Sequence, residues 1–384
     1  MPQRLRKIAI APNAFKGTLT ALEAATCIER GLHAALPHIQ TVIIPMADGG
    51  DGTAAAIVQA TNGRLLHTRV HDPLGRLIRA TWGLTGDGHT AIIEMATASG
   101  LTLLRPHERN PLHTSTCGTG ELIRKALDRN VRRILIGIGG SATNDGGMGM
   151  ARALGAKFLD RQGRELPEGG GTLTRLAHID ISVLDSRLQN VHIDVACDVD
   201  NPLTGPRGAA HIYGPQKGAI PAMVRQLDAG LRRLAQVLRD DLHIHVEKIP
   251  GAGAAGGLGA GLLAFACGRL RPGIDIVIDA VQLARRLQGC DLVITGEGRM
   301  DAQTARGKAP AGVAKVAHSL GIPVIAICGA LGPDATAALP QGITACFSAL
   351  EEPMDDAELA ARAPDMLERC ARQVGRLLTL RCGQ

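Results

Sequence analysis

Aromatic residues are scarce in this sequence of 384 residues, which has four phenylalanines, one tryptophan and one tyrosine. Proteins that bind single-stranded nucleic acid usually stack its bases on aromatic side chains, so the composition argues against nucleic acid as a partner. No apolar stretch approaches the roughly 20 residues that span a bilayer, and no signal-peptide core precedes the first predicted strand. We therefore expect a cytoplasmic protein that does not bind a membrane.

Several sequence motifs are also missing. The nine cysteines lie far apart without a Cys-x-x-Cys pair, so neither a zinc knuckle nor a redox motif is indicated. The sequence contains neither a P-loop nor the motifs of protein kinases. The formal net charge of +6 is spread along the chain, which is typical of a solvated surface and compatible with anionic small-molecule substrates.

Glycine, by contrast, is abundant: 48 of the 384 residues are glycine, whereas about 7%, or roughly 27 residues, would be average. Four loops contain several glycines: residues 46–53, 138–147, 250–259 and 295–301. All of them except 250–259 also carry acidic and hydroxyl side chains. Glycine lets backbone N–H groups approach an anion closely, while Ser, Thr and Asp add hydrogen bonds or metal ligands. Four such loops predict an enzyme that handles phosphate.

Short apolar strands alternate with helices near both ends of the chain, and this order predicts parallel sheets with helices on their faces. The middle differs, because Gly-Asp-Gly at 86–88 between two strand-like runs predicts an antiparallel hairpin. We therefore expect an α/β fold of two domains. Residues 1–72 and 286–384 form a discontinuous parallel-sheet domain, and residues 73–285 form an inserted mixed α/β domain.

Carboxylates gather in loops that follow predicted strands: Asp48, Asp51, Asp145, Asp198, Asp200, Glu297 and Asp301. Ligands of open α/β sheets bind beyond the carboxyl ends of the strands, and Mg²⁺ binds a few carboxylate and water oxygens together with substrate phosphates. The set therefore predicts metal–phosphate chemistry. The alternative for any single aspartate is that it caps a helix or stabilises a turn.

Eight strings of this sequence resemble the class I glycerate kinases of bacteria. They occur in order over nearly the whole chain: 11–17, 45–53, 94–101, 136–147, 196–203, 214–219, 250–259 and 295–301. The family often has Asp-Ser where this chain has Asn13-Ala14. The resemblance implies ATP-dependent phosphorylation of D-glycerate, generally on the 2-hydroxyl, by one flavodoxin-like domain and one restriction-enzyme-like domain. We expect ATP and Mg²⁺ as cofactors, glycerate as the small-molecule partner, and a monomer or homodimer.

Asp198 follows a buried-looking strand, and we expect it to position and deprotonate the glycerate hydroxyl. Asp145 is the alternative base, although its glycine and hydroxyl neighbours favour a phosphate or Mg²⁺ site. Lys16 completes the expected catalytic set, and Asp200 and Asp301 are the expected metal ligands.

Arg299 lies between glycines in a loop after a strand, and its planar guanidinium suits bidentate contact with the glycerate carboxylate. The other expected substrate- and phosphate-binding residues come from the glycine-rich loops and from one further lysine: Asp48, Gly49, Gly50, Asp51, Gly139, Gly140, Ser141, Thr143, Asn144, Lys217, Gly253, Gly256, Gly257 and Glu297.

Two other functions are weighed against a kinase. The string at 251–256 matches the GxGxxG pattern of NAD-dependent oxidoreductases, but the strand that should precede it is doubtful, since residues 246–250 are short and end in proline. A nucleotide-binding module without catalysis leaves the loop carboxylates unexplained.

Overall fold

The computed structural model describes residues 5–302, 304 and 307–380. Contacts between Cα positions divide the chain into two compact units. Unit one comprises residues up to 48, 55–61 and from 274 onward, and unit two comprises residues 49–54 and 62–273.

The strands, in chain order, are β1 (Lys7–Pro12), β2 (Gln40–Ile43), β3 (Arg64–His71), β4 (Leu77–Leu84), β5 (Thr90–Glu94), β6 (Arg133–Gly137), β7 (Lys157–Leu159), β8 (His178–Asp180), β9 (His192–Ala196), β10 (Arg269–Arg271), β11 (Leu292–Gly296), β12 (Arg299–Met300), β13 (Val324–Cys328), β14 (Ala330–Leu331) and β15 (Ala345–Ser348).

The α-helices are α1 (Ala21–Ala35), α2 (Thr53–Ala60), α3 (Ala96–Ser99), α4 (Cys117–Leu127), α5 (Met148–Ala153), α6 (Ala209–Tyr213), α7 (Pro221–Leu242), α8 (Ala254–Phe265), α9 (Gly273–Ala280), α10 (Leu283–Leu287), α11 (Ala309–Ser319) and α12 (Asp356–Leu378).

Unit one contains a five-stranded sheet in the order β15-β13-β11-β1-β2. All of its neighbouring strands run parallel, and Ile10 of β1 lies opposite Ile294 of β11 and Ile43 of β2. Numbered within the sheet, this is the 2-1-3-4-5 order of flavodoxin-like folds, whose order reverses at the pair β1 and β11. The structure thus confirms the predicted parallel-sheet α/β architecture.

Side chains of α1 and α12 cover this sheet and complete its core. Ile8, Ile10 and Ile28 are fully buried, as is Ala371 of α12. In the sequence, Thr20 with Glu23 three residues on predicts a capping box at the start of a helix. Helix α1 begins there: Thr20 Oγ1 accepts a hydrogen bond from Glu23 N at 3.2 Å, and Glu23 Oε2 accepts one from Thr20 N at 2.8 Å. The helix therefore starts with two of its free N–H groups satisfied.

Unit two contains a six-stranded mixed sheet in the order β10-β9-β6-β5-β4-β3. The strands β3, β4 and β5 pair antiparallel, whereas β5, β6, β9 and β10 pair parallel. The predicted hairpin is therefore present as β4 and β5. The long helix α7 starts with Pro221 and packs a stripe of fully buried leucines into the core of the unit: Leu227, Leu231, Leu234 and Leu238.

Two features differ from the sequence expectations. Strand β3 carries exposed Arg64, His67 and Arg69, so it lacks the apolar run that marks a buried strand. Residues 255–257 at the start of helix α8 have positive φ, so left-handed backbone interrupts the first turn of this helix.

Contacts place residues 62–72 in unit two, since β3 pairs with β4. They place residues 274–285 in unit one. The predicted boundaries between two separate domains, at 72/73 and 285/286, stay a prediction. Among the helices of the described residues, none combines the length and the apolar character that crossing a membrane requires.

Candidate active site

Unit one presents polar residues beyond the carboxyl ends of its parallel strands. Asn13 and Lys16 follow β1, Asp48 follows β2 and Glu297 follows β11. These residues line a cavity of about 390 Å³. The cavity adjoins the pair β1 and β11, where the strand order reverses, and open α/β sheets bind their ligands at that position.

One part of this cavity, the charged end, is formed by Lys16, Asp48, Glu297, Arg299, Asp301 and Lys308. The buried Glu297 accepts a hydrogen bond at Oε1 from Thr304 Oγ1 at 2.6 Å, and the same hydroxyl accepts one from Asp301 N at 3.1 Å. Burial raises the pKa of Glu297, repulsion from Asp48 and Asp301 adds to the rise, and Thr304 and Lys308 oppose it. The charged end therefore favours an added cation near its carboxylates.

In unit two, the loop after β6 is built around the carboxylate of Asp145, which is fully buried. Its Oδ2 accepts hydrogen bonds from Thr116 N, Thr116 Oγ1 and Gly149 N, and its Oδ1 accepts one from Gly147 N, at 2.8–3.1 Å. Burial raises the pKa of Asp145, and the donors of Thr116 and Gly149 oppose the rise. This carboxylate holds the loop in one conformation.

Lys217 reaches the same loop from the segment after α6. Its Nζ donates hydrogen bonds to Ser141 Oγ and to Thr143 O, both at 2.7 Å, and the residue is 1% exposed. Burial lowers the pKa of Lys217 to about 7, although the nearby Asp145 opposes this effect. The ammonium group is therefore placed to hold an anion-binding loop in position.

Buried polar atoms beside Lys217 are left without partners. Asn144 Nδ2, Asn144 Oδ1 and Thr143 Oγ1 form no hydrogen bond with any described residue. A buried polar group without a hydrogen bond costs about 1–3 kcal/mol, so a native protein keeps such groups for a reason. A bound polar ligand or water at this loop would satisfy them.

The glycines of the predicted loops fall into two kinds. Added Cβ atoms would lie 2.0 Å from Thr143 O at Gly256 and 2.2 Å from Pro202 O at Gly253, and Gly49 and Gly257 are similarly close to other chain segments. At these positions glycine permits one backbone to pack against another. Gly139, by contrast, faces open space, as a ligand-facing glycine does, whereas a Cβ added at Gly140 would lie 3.2 Å from Ala96 Cβ.

The string at 251–256 lacks the context of a dinucleotide site. Residues 243–250, all of them described, form turns and irregular backbone rather than a strand. The strand–loop–helix unit that gives GxGxxG its meaning is therefore absent there.

The loop after β9 carries two predicted aspartates in different surroundings. Asp198 is exposed, and its Oδ1 accepts a hydrogen bond from Gly273 N at 2.8 Å. Asp200 is exposed and forms an ion pair with Arg207, with Oδ2 3.1 Å from Nη2. Asp198 is thus held by a segment that lies far away in the sequence, and Asp200 is held by a residue of its own loop.

A family model described as "Glycerate kinase family" matches residues 8–379. This chain belongs to the glycerate kinase family.

Curated relatives and a solved structure agree. The chain is 51% identical over 376 residues to a glycerate kinase of Bacillus subtilis, covering 97% of this chain and 98% of the relative. It is 49% identical to a glycerate 2-kinase of Escherichia coli, with 97% and 98% coverage. It superposes with a TM-score of 0.91 and 49% identity on a structure described as "Crystal structure of putative glycerate kinase 2 from Salmonella typhimurium LT2", covering 98% of both chains.

Within this family member, the predicted site residues form separate groups. In unit one, the predicted residues Lys16, Asp48, Glu297, Arg299 and Asp301 line one cavity. In unit two, hydrogen bonds connect Ser141, Thr143 and Lys217. Their direct contact with substrate stays a prediction, as it does for Gly50 and Asp51.

Besides Lys308 of the charged end, three residues near the predicted ones were not themselves predicted. Asn13 is buried and donates from Nδ2 to Asp48 Oδ2 at 3.3 Å. Glu94 accepts a hydrogen bond at Oε1 from Ala54 N at 2.7 Å, and burial raises its pKa. Thr304 orients Glu297. Asn13 and Glu94 stand in two of the family-like strings, which is the signal that could have marked them.

The residues of unit one fit Mg²⁺, the metal that a kinase of this kind implies. Mg²⁺ prefers one or two carboxylates together with water and phosphate oxygens, and Asp48, Glu297 and Asp301 supply carboxylates whose charges repel one another. A different group, His71, Cys117 and Glu121, is the one set of three His, Cys, Asp or Glu residues among those described whose ligand atoms lie within 4.8 Å of one another. Its thiol and imidazole do not suit Mg²⁺.

Lys217 gives the protein a specific pH dependence. Because burial lowers its pKa to about 7 from 10.5, the unfolded chain binds an extra proton between these values. Stability should therefore rise with pH in this window. We expect the stability advantage of the unchanged protein over Lys217→Met to grow by about 2 kcal/mol between pH 7 and pH 9.

Calorimetric unfolding at both pH values measures this difference. Lys248→Met removes an exposed lysine and should leave the pH dependence as it is. Parallel shifts of the melting temperature in the Lys217→Met variant and the unchanged protein would contradict the assignment.

Proposed function

We propose that this chain transfers the γ-phosphoryl group of ATP to the 2-hydroxyl of D-glycerate and forms 2-phosphoglycerate. The observation that carries the proposal is the near full-length similarity to the Escherichia coli glycerate 2-kinase. The polar residues that follow the strands support it, because phosphoryl transfer depends on positioning and charge neutralisation more than on covalent chemistry.

In this proposal, the charged end of the cavity neutralises the phosphates. Lys16 and Lys308 supply positive charge there, and one or two of the carboxylates of Asp48, Glu297 and Asp301 would hold Mg²⁺ together with water and phosphate oxygens. Bound Mg²⁺ would screen the negative charge of the phosphates and orient them. Asp200 forms an exposed ion pair with Arg207, and its role as a metal ligand stays a prediction.

We assign Asp198 as the base that orients and deprotonates the glycerate hydroxyl. Its carboxylate is exposed and is held at one oxygen by Gly273 N, so it is both accessible and positioned. Asp145 is the poorer candidate, because it is fully buried and both of its oxygens accept hydrogen bonds from the loop. Its proposed role is to hold the loop of Ser141 and Thr143.

The proposal extends to the setting of the enzyme. We propose that it works in the cytoplasm, where ATP is available, as a monomer or a homodimer. Glycerate is its small-molecule partner.

The proposed reaction can be tested directly. Incubation with ATP, Mg²⁺ and D-glycerate should release ADP in a glycerate-dependent manner, and NMR should identify 2-phosphoglycerate as the product. ADP release that glycerate leaves unchanged, together with reduction of NAD, would overturn the kinase proposal. A product phosphorylated on the 3-hydroxyl would overturn only its regiochemistry.

Replacing Asp198 tests the assignment of the base. Asp198→Asn keeps the size of the side chain but removes its charge, so kcat should fall by about 10²-fold or more, the low end for general acid–base groups. The Kd for ATP and the melting temperature should stay unchanged. The matched control is Asp240→Asn, in an exposed pair with Arg239. A variant with near-normal kcat would remove Asp198 from the chemistry and favour Asp145.

Replacing Arg299 tests recognition of the glycerate carboxylate. Arg299→Lys keeps the charge but loses the bidentate geometry, so the KM for glycerate should rise about tenfold, equivalent to ~1.4 kcal/mol, while the KM for ATP changes less. Steady-state kinetics with each substrate varied separately measures both values. Arg285→Lys, on an exposed arginine, is the control. Equal increases in both KM values would indicate a phosphate contact instead.

A further inference from the structure

The cavity of unit one has a second, chemically different part. This apolar end is formed by Phe15, Leu350, Leu359, Ala363, Met366 and Leu367. Two of the lining residues follow strands at opposite edges of the sheet: Leu350 follows β15, and Asp48 follows β2. One cavity therefore offers an apolar wall and a charged region at different positions along the sheet.

The apolar end comes from the periodicity of α12. Leu359, Ala363, Met366 and Leu367 recur at intervals of four, three and one, which places them on one face of the helix. Part of the apolar end remains open, since Leu359 of α12 is half-buried and Leu350, which precedes the helix, is 37% exposed. Apolar side chains that line a cavity without filling it are typical of ligand sites.

The chemistry of the two proposed substrates indicates which of them fits the apolar end. Every carbon of glycerate carries an oxygen, so glycerate has no apolar part to bury there. ATP joins a flat, largely apolar base to a chain of phosphates. Its two parts match the apolar end and the charged end, where Lys16 and Lys308 are found.

We propose that the unit-one cavity binds the nucleotide, with the base of ATP against the apolar end and the phosphates directed toward Lys16 and Lys308, while Arg299 of the charged end is left for the carboxylate of glycerate. The inference rests on the proposed function for the identity of the nucleotide. It adds which loops bind the nucleotide: those after β1, β11 and β15, together with one face of α12. Aliphatic side chains, rather than a stacked aromatic platform, then provide most of the contact with the base.

Two substitutions at the apolar end test this assignment. Leu359→Trp and Leu350→Trp enlarge side chains that are partly exposed, so the fold should accept them while the cavity narrows. The matched control is Leu378→Trp, at a half-buried leucine of the same helix that does not line the cavity. Circular dichroism and the melting temperature verify folding of all three variants.

Titration calorimetry with three separate probes distinguishes the base from the phosphates. Both cavity variants should weaken ADP binding by about tenfold or more, leave inorganic pyrophosphate within about twofold, and leave D-glycerate unchanged. The control should bind all three probes normally. Because pyrophosphate lacks a base, the difference between ADP and pyrophosphate reports on the apolar end.

The other outcomes overturn the proposal. Unchanged ADP affinity in both folded cavity variants would place the base elsewhere. Loss of glycerate binding alone would assign the apolar end to glycerate. Equal loss of ADP and pyrophosphate affinity would mean that the apolar end supports the structure of the cavity and does not contact the base. If the unchanged protein binds ADP, the apolar-end variants bind it more weakly, and glycerate is still not phosphorylated, the proposed function is rejected but the nucleotide site is kept.

Discussion

The pairing of β1 with β11 is the contact on which the architecture of unit one depends. It joins segments from the two ends of the sequence in one parallel ladder, with Ile10 opposite Ile294. Asp291 reinforces the start of this ladder, because its Oδ2 accepts hydrogen bonds from Arg6 N at 2.7 Å and Lys7 N at 2.9 Å. Since the strand order reverses at this pair, the loops beyond it diverge and leave room for a ligand.

In unit two, the corresponding constraint is the burial of charge. Asp145 and Lys217 are both buried, and an unpaired ion in such a place would cost several kcal/mol. Their hydrogen bonds to Thr116, Ser141 and Thr143 satisfy these charges and tie three separate segments together. The loop is therefore held in place before any ligand binds, which lowers the entropic cost of binding.

Local sequence predicted those features that depend on neighbouring residues. The capping box at Thr20 and the polar loops after the strands follow from side-chain spacing, and the structure confirms the capping box. The glycines at 250–259 show where this reasoning fails. Glycine suits both an anion site and close backbone packing, and the groups that choose packing here, Thr143 and Pro202, lie far away in the sequence.

The sequence by itself determined the α/β class, the antiparallel hairpin and the presence of polar loops after strands, because periodicity and turn chemistry are local properties. Only the tertiary structure decided that Asp145 is buried and Asp198 exposed, that Lys217 supports the loop at Ser141, and that one face of α12 forms the apolar end beside the charged end. Burial, pKa and cavity shape depend on neighbours that folding brings from distant parts of the chain, and no local pattern records them.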